Sequence, residues 1–419
     1  HQLGDKNGRC QRAGSAVMEQ IKKLCREQPL ICIICILALI SCFAILSATP
    51  MISNKVGNPE TLWLKQGAFY IISAVMVFII YKIGKDQIYD KIWIIYWILM
   101  VLLIILAIEH FIYTRLWPGH HIIPLVNTAG GATSWFNFPF LSIQPSEFMK
   151  IAIVIALARI TKEHNDYYLI HTTETEIKYI WKCMKVVIPP ALLVLLQNDT
   201  GVVLILLVGA AFVIFSSGLR KQWFIFGFGL IGIILLIGAY LFVYQPEIFE
   251  KFLSSHQVDR FYGWLDPEGT YNKEGYQLFN SLLSYGSAGW FGHGFQSVIK
   301  VFPEAQTDFI FAVILTNYGF VGGLITVGAI VAFDIIILKI GLDSTNQQDK
   351  FMTIGIIGML LFQQIWNMGM ILGLLPITGI TLPFISYGGS SLLSYMIAIA
   401  LFIDINSQNN IMKNRSIIS

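Results

Sequence analysis

IWIIYWILMVLLIILAIEHFI, residues 92–112, is an almost unbroken apolar run of the length that crosses a bilayer, ~20 residues. Nine further runs of this kind can be read along the chain, at about 30–50, 66–83, 147–161, 183–197, 201–217, 222–244, 308–338, 352–375 and 387–406. The fourth, fifth and sixth are short. Apolar residues make up 55% of the 419 and charged residues 13%, with a mean hydropathy of +0.66. A soluble domain carries roughly 25% charged residues because its surface faces water. The polar complement here is too small to cover a globule of this size, so lipid must solvate the rest. The fold class that follows is an all-α polytopic membrane protein with about ten transmembrane helices.

Net charge, +3, says little about partners, but its placement orients the chain. Basic residues cluster before the first run (Lys22, Lys23, Arg26) and between the second and third (Lys82, Lys85, Lys91). They recur after the fourth (Arg159, Lys162, Lys178, Lys182, Lys185), the sixth (Arg220, Lys221), the eighth (Lys339, Lys350) and the tenth (Lys413, Arg415). These are alternate connections, so the positive-inside rule puts them and both termini in the cytoplasm. Segments 113–146 and 245–306 then face outward, the larger one between helices 7 and 8. Residues 1–17 lack any pattern and read as an added leader, with Met18 as the natural start and 18–419 as one membrane domain. None of the six cysteines falls in an outer loop, so no disulfide-stapled outer domain is expected. Cys32 and Cys35 form a C-x-x-C inside the first run; with no further ligands nearby, helix packing is the better reading, and no metal site is expected.

Several connections have character. Segment 162–182 is polar and reads as a short cytoplasmic helical hairpin. Tyr276–Leu283 has the pattern of an amphipathic helix lying on the membrane surface. Gly286, Gly289, Gly292 and Gly294 follow, and suggest a tight turn more than a phosphate loop. Segment 373–391, GLLPITGITLPFISYGGSS, breaks any helix in apolar surroundings. Irregular backbone at membrane depth is tolerated only inside protein or at a wet cavity, so a partly re-entrant loop at a cavity rim is expected.

Ionisable groups at bilayer level are costly and mark sites. Four places qualify. Gln144-Pro145-Ser146-Glu147 opens the fourth helix, with Glu147 and Lys150 on one face; an ion pair at a helix start and a cavity-facing function weigh evenly. Asp199, in Gln197-Asn198-Asp199, reads most simply as a cap for the sixth helix, with a cavity-facing role as the alternative. Thr307-Asp308 stands just before the eighth run, where Asp308 could be an N-cap or a desolvated general base. Asp334, close to Lys339, reads as interfacial. Residues alone give several carboxylates and cations converging on an outward cavity, which suits an enzyme or a transporter.

These motifs resemble the SEDS family (shape, elongation, division and sporulation; RodA, FtsW and SpoVE) over residues 30–406. They are Q-P-S-E-x-x-K at 144–150, Q-x-D-x-G at 197–201, E-G-Y-Q at 274–277, P-E-x-x-T-D-F-I-F at 303–311 and L-P-F-x-S-Y-G-G-S-S at 382–391. Asn367-Met368-Gly369-Met370 with Gly373–Gly379 is most like the RodA branch. The resemblance implies a peptidoglycan glycosyltransferase of the bacterial cytoplasmic membrane, its active site facing outward. It would polymerise lipid II during elongation, inverting the donor sugar and releasing undecaprenyl diphosphate. It implies a class B penicillin-binding protein as partner, besides the lipid substrate and membrane lipid, and no nucleic acid. The catalytic residues it points to are Asp308, Glu147 and Lys150. Residues expected at the substrate are Gln144, Ser146, Trp135, Asp199, Lys65, Arg260, Thr307, Ser386 and Ser390. Of the cations, only Lys150 is carried by a motif; Lys65 and Arg260 rest on predicted location. Whether a divalent cation helps hold the diphosphate is not readable.

Some positions depart from the family pattern. Ser134 replaces the usual arginine of G-A-x-R-W, Gln306 replaces a common histidine, Asn198 replaces a proline, and Thr316-Asn317 replaces an acidic pair. Two other functions remain compatible with the residues: a flippase for the lipid-linked precursor, and a non-catalytic scaffold for a transpeptidase.

Overall fold

The computed structural model describes residues 28–52, 58–170, 172–252, 255–272 and 275–418. The proposed leader and start, Lys22, Lys23, Arg26, Lys273 and Glu274 lie outside them. Each of the ten apolar runs is a helix: α1 Pro29–Ala48, α2 Leu62–Ile83, α3 Ile92–Phe111, α4 Pro145–Tyr167, α5 Thr173–Leu196, α6 Thr200–Ser216, α7 Lys221–Tyr244, α8 Ile310–Leu342, α9 Gln347–Ile371 and α10 Gly389–Ile418. Eight of these, all but α4 and α6, are long and apolar enough to cross a membrane. The protein is an all-α, multi-pass membrane protein.

The two exceptions have physical reasons. α6 has only 17 residues. α4 carries charge along its length but is buried over most of Pro145 to Thr161, so its solvent there is other helices, not lipid. It packs on α3, α5, α6, α9 and α10. α7 is the opposite case: apolar along its length and with no buried residue, it meets the bundle mainly through its first turns, where Phe224 and Phe228 pack on Phe215 of α6. Small residues let α4, α6 and α9 approach closely. A Cβ on Gly209 would meet Met359 at 2.5 Å, and one on Gly355 would meet Val154 and Val213 at 2.6 Å.

The connections differ from expectation in several ways. There is no separate hairpin over 162–182: α4 simply runs on to Tyr167 and α5 begins at Thr173, where Thr172 and Thr175 form a capping box. The first outer segment holds a three-stranded antiparallel sheet, β1 Val126–Ala129, β2 Ala132–Asn137 and β3 Ser142–Ile143. Helical periodicity gives no hint of it. The helix Gly275–Gly286 exists, and the face it buries is mainly polar, Gln277, Asn280, Ser281 and Ser284, together with Leu278. Gln277 donates to Pro303 O (2.9 Å) and Asn280 to Val301 O (3.1 Å), so its amides satisfy an incoming loop. Cys35 is a free, exposed thiol on α1 and so is not a packing contact; among the described residues no group of three or more metal-ligating side chains gathers.

The glycine run is a turn with a purpose. α8 breaks at Gly319 (φ 63°, ψ −161°), and the 289–294 loop closes on the break. His293 N and Gly294 N donate to the carbonyls of Thr316 and Asn317, while Phe320 N and Val321 N donate to those of Gly289 and Trp290. Four backbone groups that the kink would orphan are thereby paired. A Cβ on Gly292 (φ 76°) would lie 2.3 Å from the Asn317 carbonyl. Gly292→Ala is therefore expected to destabilise the protein by at least ~1–3 kcal/mol, read as a lower melting temperature in detergent; an unchanged melt would show that loop and helix can part freely.

Candidate functional site

α4, α6, α8 and α10 all begin at the same end of the bundle, and two polar clusters lie among those ends. The first is built on α4. Pro145 occupies the first helical turn, where its missing N–H costs nothing. One turn in, Lys150 Nζ lies 2.6 Å from Glu147 Oε2; both side chains are buried, Lys150 completely. The ammonium also sits 4.2 Å from the ring centroid of Tyr395 on α10. Tyr395 in turn bonds Gln363 Oε1 on α9, and Ser394 Oγ donates to Glu147 Oε2 at 3.4 Å. The surroundings thus supply the pair with a cation–π contact and a hydroxyl, the extra partners that a buried ion pair requires.

Gln144 links this cluster to α6 and α10. Its Nε2 donates to Asp199 Oδ2 (2.6 Å), and its N–H donates to Ser390 Oγ (2.9 Å). Asp199 caps α6, as the simpler reading held: its Oδ1 accepts from Val202 N at 3.4 Å. Burial pushes its carboxyl up to about 6, with the Val202 N–H opposing and the Glu147 charge adding to the rise. The buried Ser134, which stands where the resemblance has arginine, lies near this carboxylate. No charge therefore comes from that position. Ser146 is fully buried.

The second cluster is built on the turn before α8. Asp308 does not cap that helix; the cap position is Phe309, without a side-chain bond. The Asp308 side chain instead lies against Gly379, where an added Cβ would be 3.3 Å from both Asp308 Oδ2 and Arg260 Nη1. The residue is half-buried, neither sealed in packing nor turned into lipid. Burial and the neighbouring Glu304 push its carboxyl up to about 7, against the pull of Arg260. Thr307 Oγ1 donates to Glu304 Oε2 (2.7 Å). Gln306 is buried and bonded to Glu304 through its amide.

Segment 372–388 lies between the clusters: Gly379 touches Asp308, while Thr378 O and Ile380 lie within 3.6 Å of where a Cβ on Gly201 would stand, beside Asp199. Several of its carbonyls are paired with side chains. Trp264 bonds Gly373 O, Trp366 bonds Pro376 O, Asn367 bonds Ile380 O, Ser41 bonds Ile385 O and Gln66 bonds Ser386 O. That is how a non-helical stretch survives inside a membrane protein. The Ser386 hydroxyl is committed to protein groups, donating to Thr307 O (2.7 Å) and accepting from Leu382 N (2.8 Å).

The remaining expected residues lie apart. Lys65 is exposed on α2, while its neighbour Gln66 points inward. Trp135 is half-buried on β2, opposite Asn127 of β1. Asp334 is not interfacial and does not meet Lys339: it is buried, and accepts from Gln364 Nε2 at 3.1 Å. Gln66, Gln363, Asn367 and Tyr395 were not among the expected site residues. Their signal was available, as polar groups inside apolar runs.

A model of the cell cycle protein family comprising FtsW, RodA and SpoVE matches residues 27–411. Among curated relatives, a probable peptidoglycan glycosyltransferase FtsW of Lactococcus lactis is 30% identical over 364 residues, covering 84% of each chain. The stage V sporulation protein E of Bacillus subtilis is 34% identical over 283 residues, 66% of this chain and 72% of the relative. A chain from a peptidoglycan synthase complex that coordinates polymerization and crosslinking superposes with a TM-score of 0.71, at 23% identity over 91% of this chain and 97% of that one. The rod shape determining protein RodA of Thermus thermophilus gives 0.62, at 21% identity over 91% and 96%. The named relatives thus include FtsW, sporulation and RodA proteins, and the chain shares the fold of the two solved structures. The match spans nearly every described residue of both clusters, and the chain belongs to the FtsW, RodA and SpoVE family of cell cycle proteins.

Proposed function

We propose that this protein is a peptidoglycan glycosyltransferase that polymerises lipid II at the outer face of a bacterial cytoplasmic membrane. One observation carries the reading: the Asp308 carboxylate is free of any capping duty, half-buried, and set beside Arg260. In inverting transfer, the acceptor 4-hydroxyl attacks the anomeric carbon of the donor. Its oxygen–hydrogen bond breaks as the new glycosidic bond forms, and the bond to the diphosphate breaks. Asp308 would take the proton; a carboxyl near 7 is well matched to that task. The diphosphate leaves as an anion. Arg260, on the half-exposed side, is placed to meet it, and the N-terminal ends of α4, α6, α8 and α10 add a positive potential. Lys150 is buried too deeply to reach a ligand at the surface, and on this reading it orients Glu147.

The finer role, elongation, rests on the RodA-like stretch 367–379. A class B penicillin-binding protein as partner rests on the relatives and on the synthase complex of like fold. A flippase would place its charged groups near the middle of the bundle; here Asp199, Glu147, Arg260 and Asp308 gather near one end.

The direct test is polymerisation of purified lipid II across pH, with and without the transpeptidase partner. Asp308 works as a base only when ionised. Its folded value is raised, so activity is present above about pH 7 and lost as pH falls through it. kcat/KM is expected to fall about tenfold per pH unit below that point. A flat profile from pH 5 to 8 would remove Asp308 from the role.

A further inference from the structure

The turn that holds Asp308 supplies little of its own support. Within it, Thr307 N and Phe309 N both return to Glu304 O, which leaves the carbonyls of residues 306–308 to find partners elsewhere. Each does. Tyr387 N donates to Gln306 O (2.8 Å), Ser386 Oγ to Thr307 O (2.7 Å) and Asn367 Nδ2 to Asp308 O (2.8 Å). Three successive carbonyls are thus stitched to α9 and the broken segment. Asn367 does more than fill a valence. It is completely buried, and its one amide nitrogen also donates to Ile380 O at 2.7 Å, so both of its hydrogens are spent. The two acceptors are the backbone of Asp308 and the residue after Gly379, the surface its carboxylate rests on.

We propose that Asn367, backed by Ser386, is a positioning residue for glycosyl transfer, holding the Asp308 carboxylate against Gly379 and Arg260 through a single amide nitrogen. This rests on Asp308 being the base, as proposed above. The charged groups facing that carboxylate are Arg260, from the helix Ser255–Leu265, and Glu304, from its own turn. The facing parts of α9 and of segment 373–388 present amides, hydroxyls and apolar side chains. The amide therefore acts by geometry: release it, and the carboxylate leaves its sheltered seat for water. A better-solvated carboxylate ionises more readily.

The full-length protein would be assayed with lipid II across pH. In Asn367→Leu, kcat should fall roughly tenfold or more with KM within about threefold. The acid limb should move down by about one pH unit. Ser386→Ala should move it the same way by less, and Ser386→Thr, which keeps the hydroxyl, should restore it. A loss of kcat with the limb at its wild-type position would overturn the proposal, because a purely structural defect removes active molecules without retuning those that remain. If Asn367→Leu does not fold, the Ser386 pair decides by the same criterion. A wild-type profile without the limb, or an Asp308→Asn protein that polymerises, overturns the base assignment itself and is distinguishable from a failure of the positioning.

Discussion

Asp308→Asn yields a folded protein that makes no glycan ladder from lipid II, with a rate lower by about 10²–10⁴-fold, the usual contribution of a general base. The change is isosteric and removes the proton acceptor together with the negative charge that faces Arg260. The bonds that hold the turn go to the backbone carbonyls of residues 306–308 and survive it. α8 loses no cap, because Asp308 does not cap it. Partner binding and the melting temperature should therefore stay near wild type. A scaffold reading predicts the same folding and binding but also no loss of polymer, so the gel separates the two. An unchanged ladder would move the base elsewhere, and Glu147→Gln measured in parallel shows whether it is on α4.

Glu147→Gln has the larger effect on stability. It leaves the fully buried Lys150 ammonium without its paired carboxylate, in contact with the Tyr395 ring. Breaking a buried pair by removing one partner costs about 3–5 kcal/mol, because the survivor is an uncompensated charge in a low-dielectric interior. Thermal unfolding in detergent should register this as a sharp drop in midpoint. Replacing both, Glu147→Gln with Lys150→Met, should recover most of that stability, since well-packed neutral side chains often match a buried pair. Polymerisation should stay low in the double variant if the pair serves the site. Recovery of activity along with stability would reduce it to a structural device of α4.

How much of this was legible depended on the scale of the signal. The ten helices were, because a run such as 92–112 has only lipid to dissolve in and leaves no other fold open. The limits of α4 and α5 were not: past residue 161 the side chains turn polar while the backbone stays helical to Tyr167, and hydropathy registers only the first change. Glu147 with Lys150 was readable from spacing of three on one face. Asp199 read as a cap and is one. Asp308 was ambiguous, since an acid before a helix looks the same in sequence whether its side chain turns back to the backbone or away to Gly379. Asn367 and Gln66 were passed over, although an amide inside an apolar run is itself a sign of a partner. Asp334 was misread because its nearest basic residue in sequence, Lys339, is not its partner in space.

By itself, then, the sequence determined the solvent of this protein, its helical class and the small set of charged groups that had to be sheltered from lipid. Those follow from local chemistry, since each run must satisfy its own backbone in hydrocarbon. Tertiary structure alone decided which sheltered groups meet across the bundle: that Asp308 lies with Arg260 while the Glu147–Lys150 pair is shut away with Tyr395, and that Asn367 ties the Asp308 turn to a segment beyond α9. Such pairings join residues dozens to hundreds of positions apart, and only the packing of helix ends brings them within a hydrogen bond.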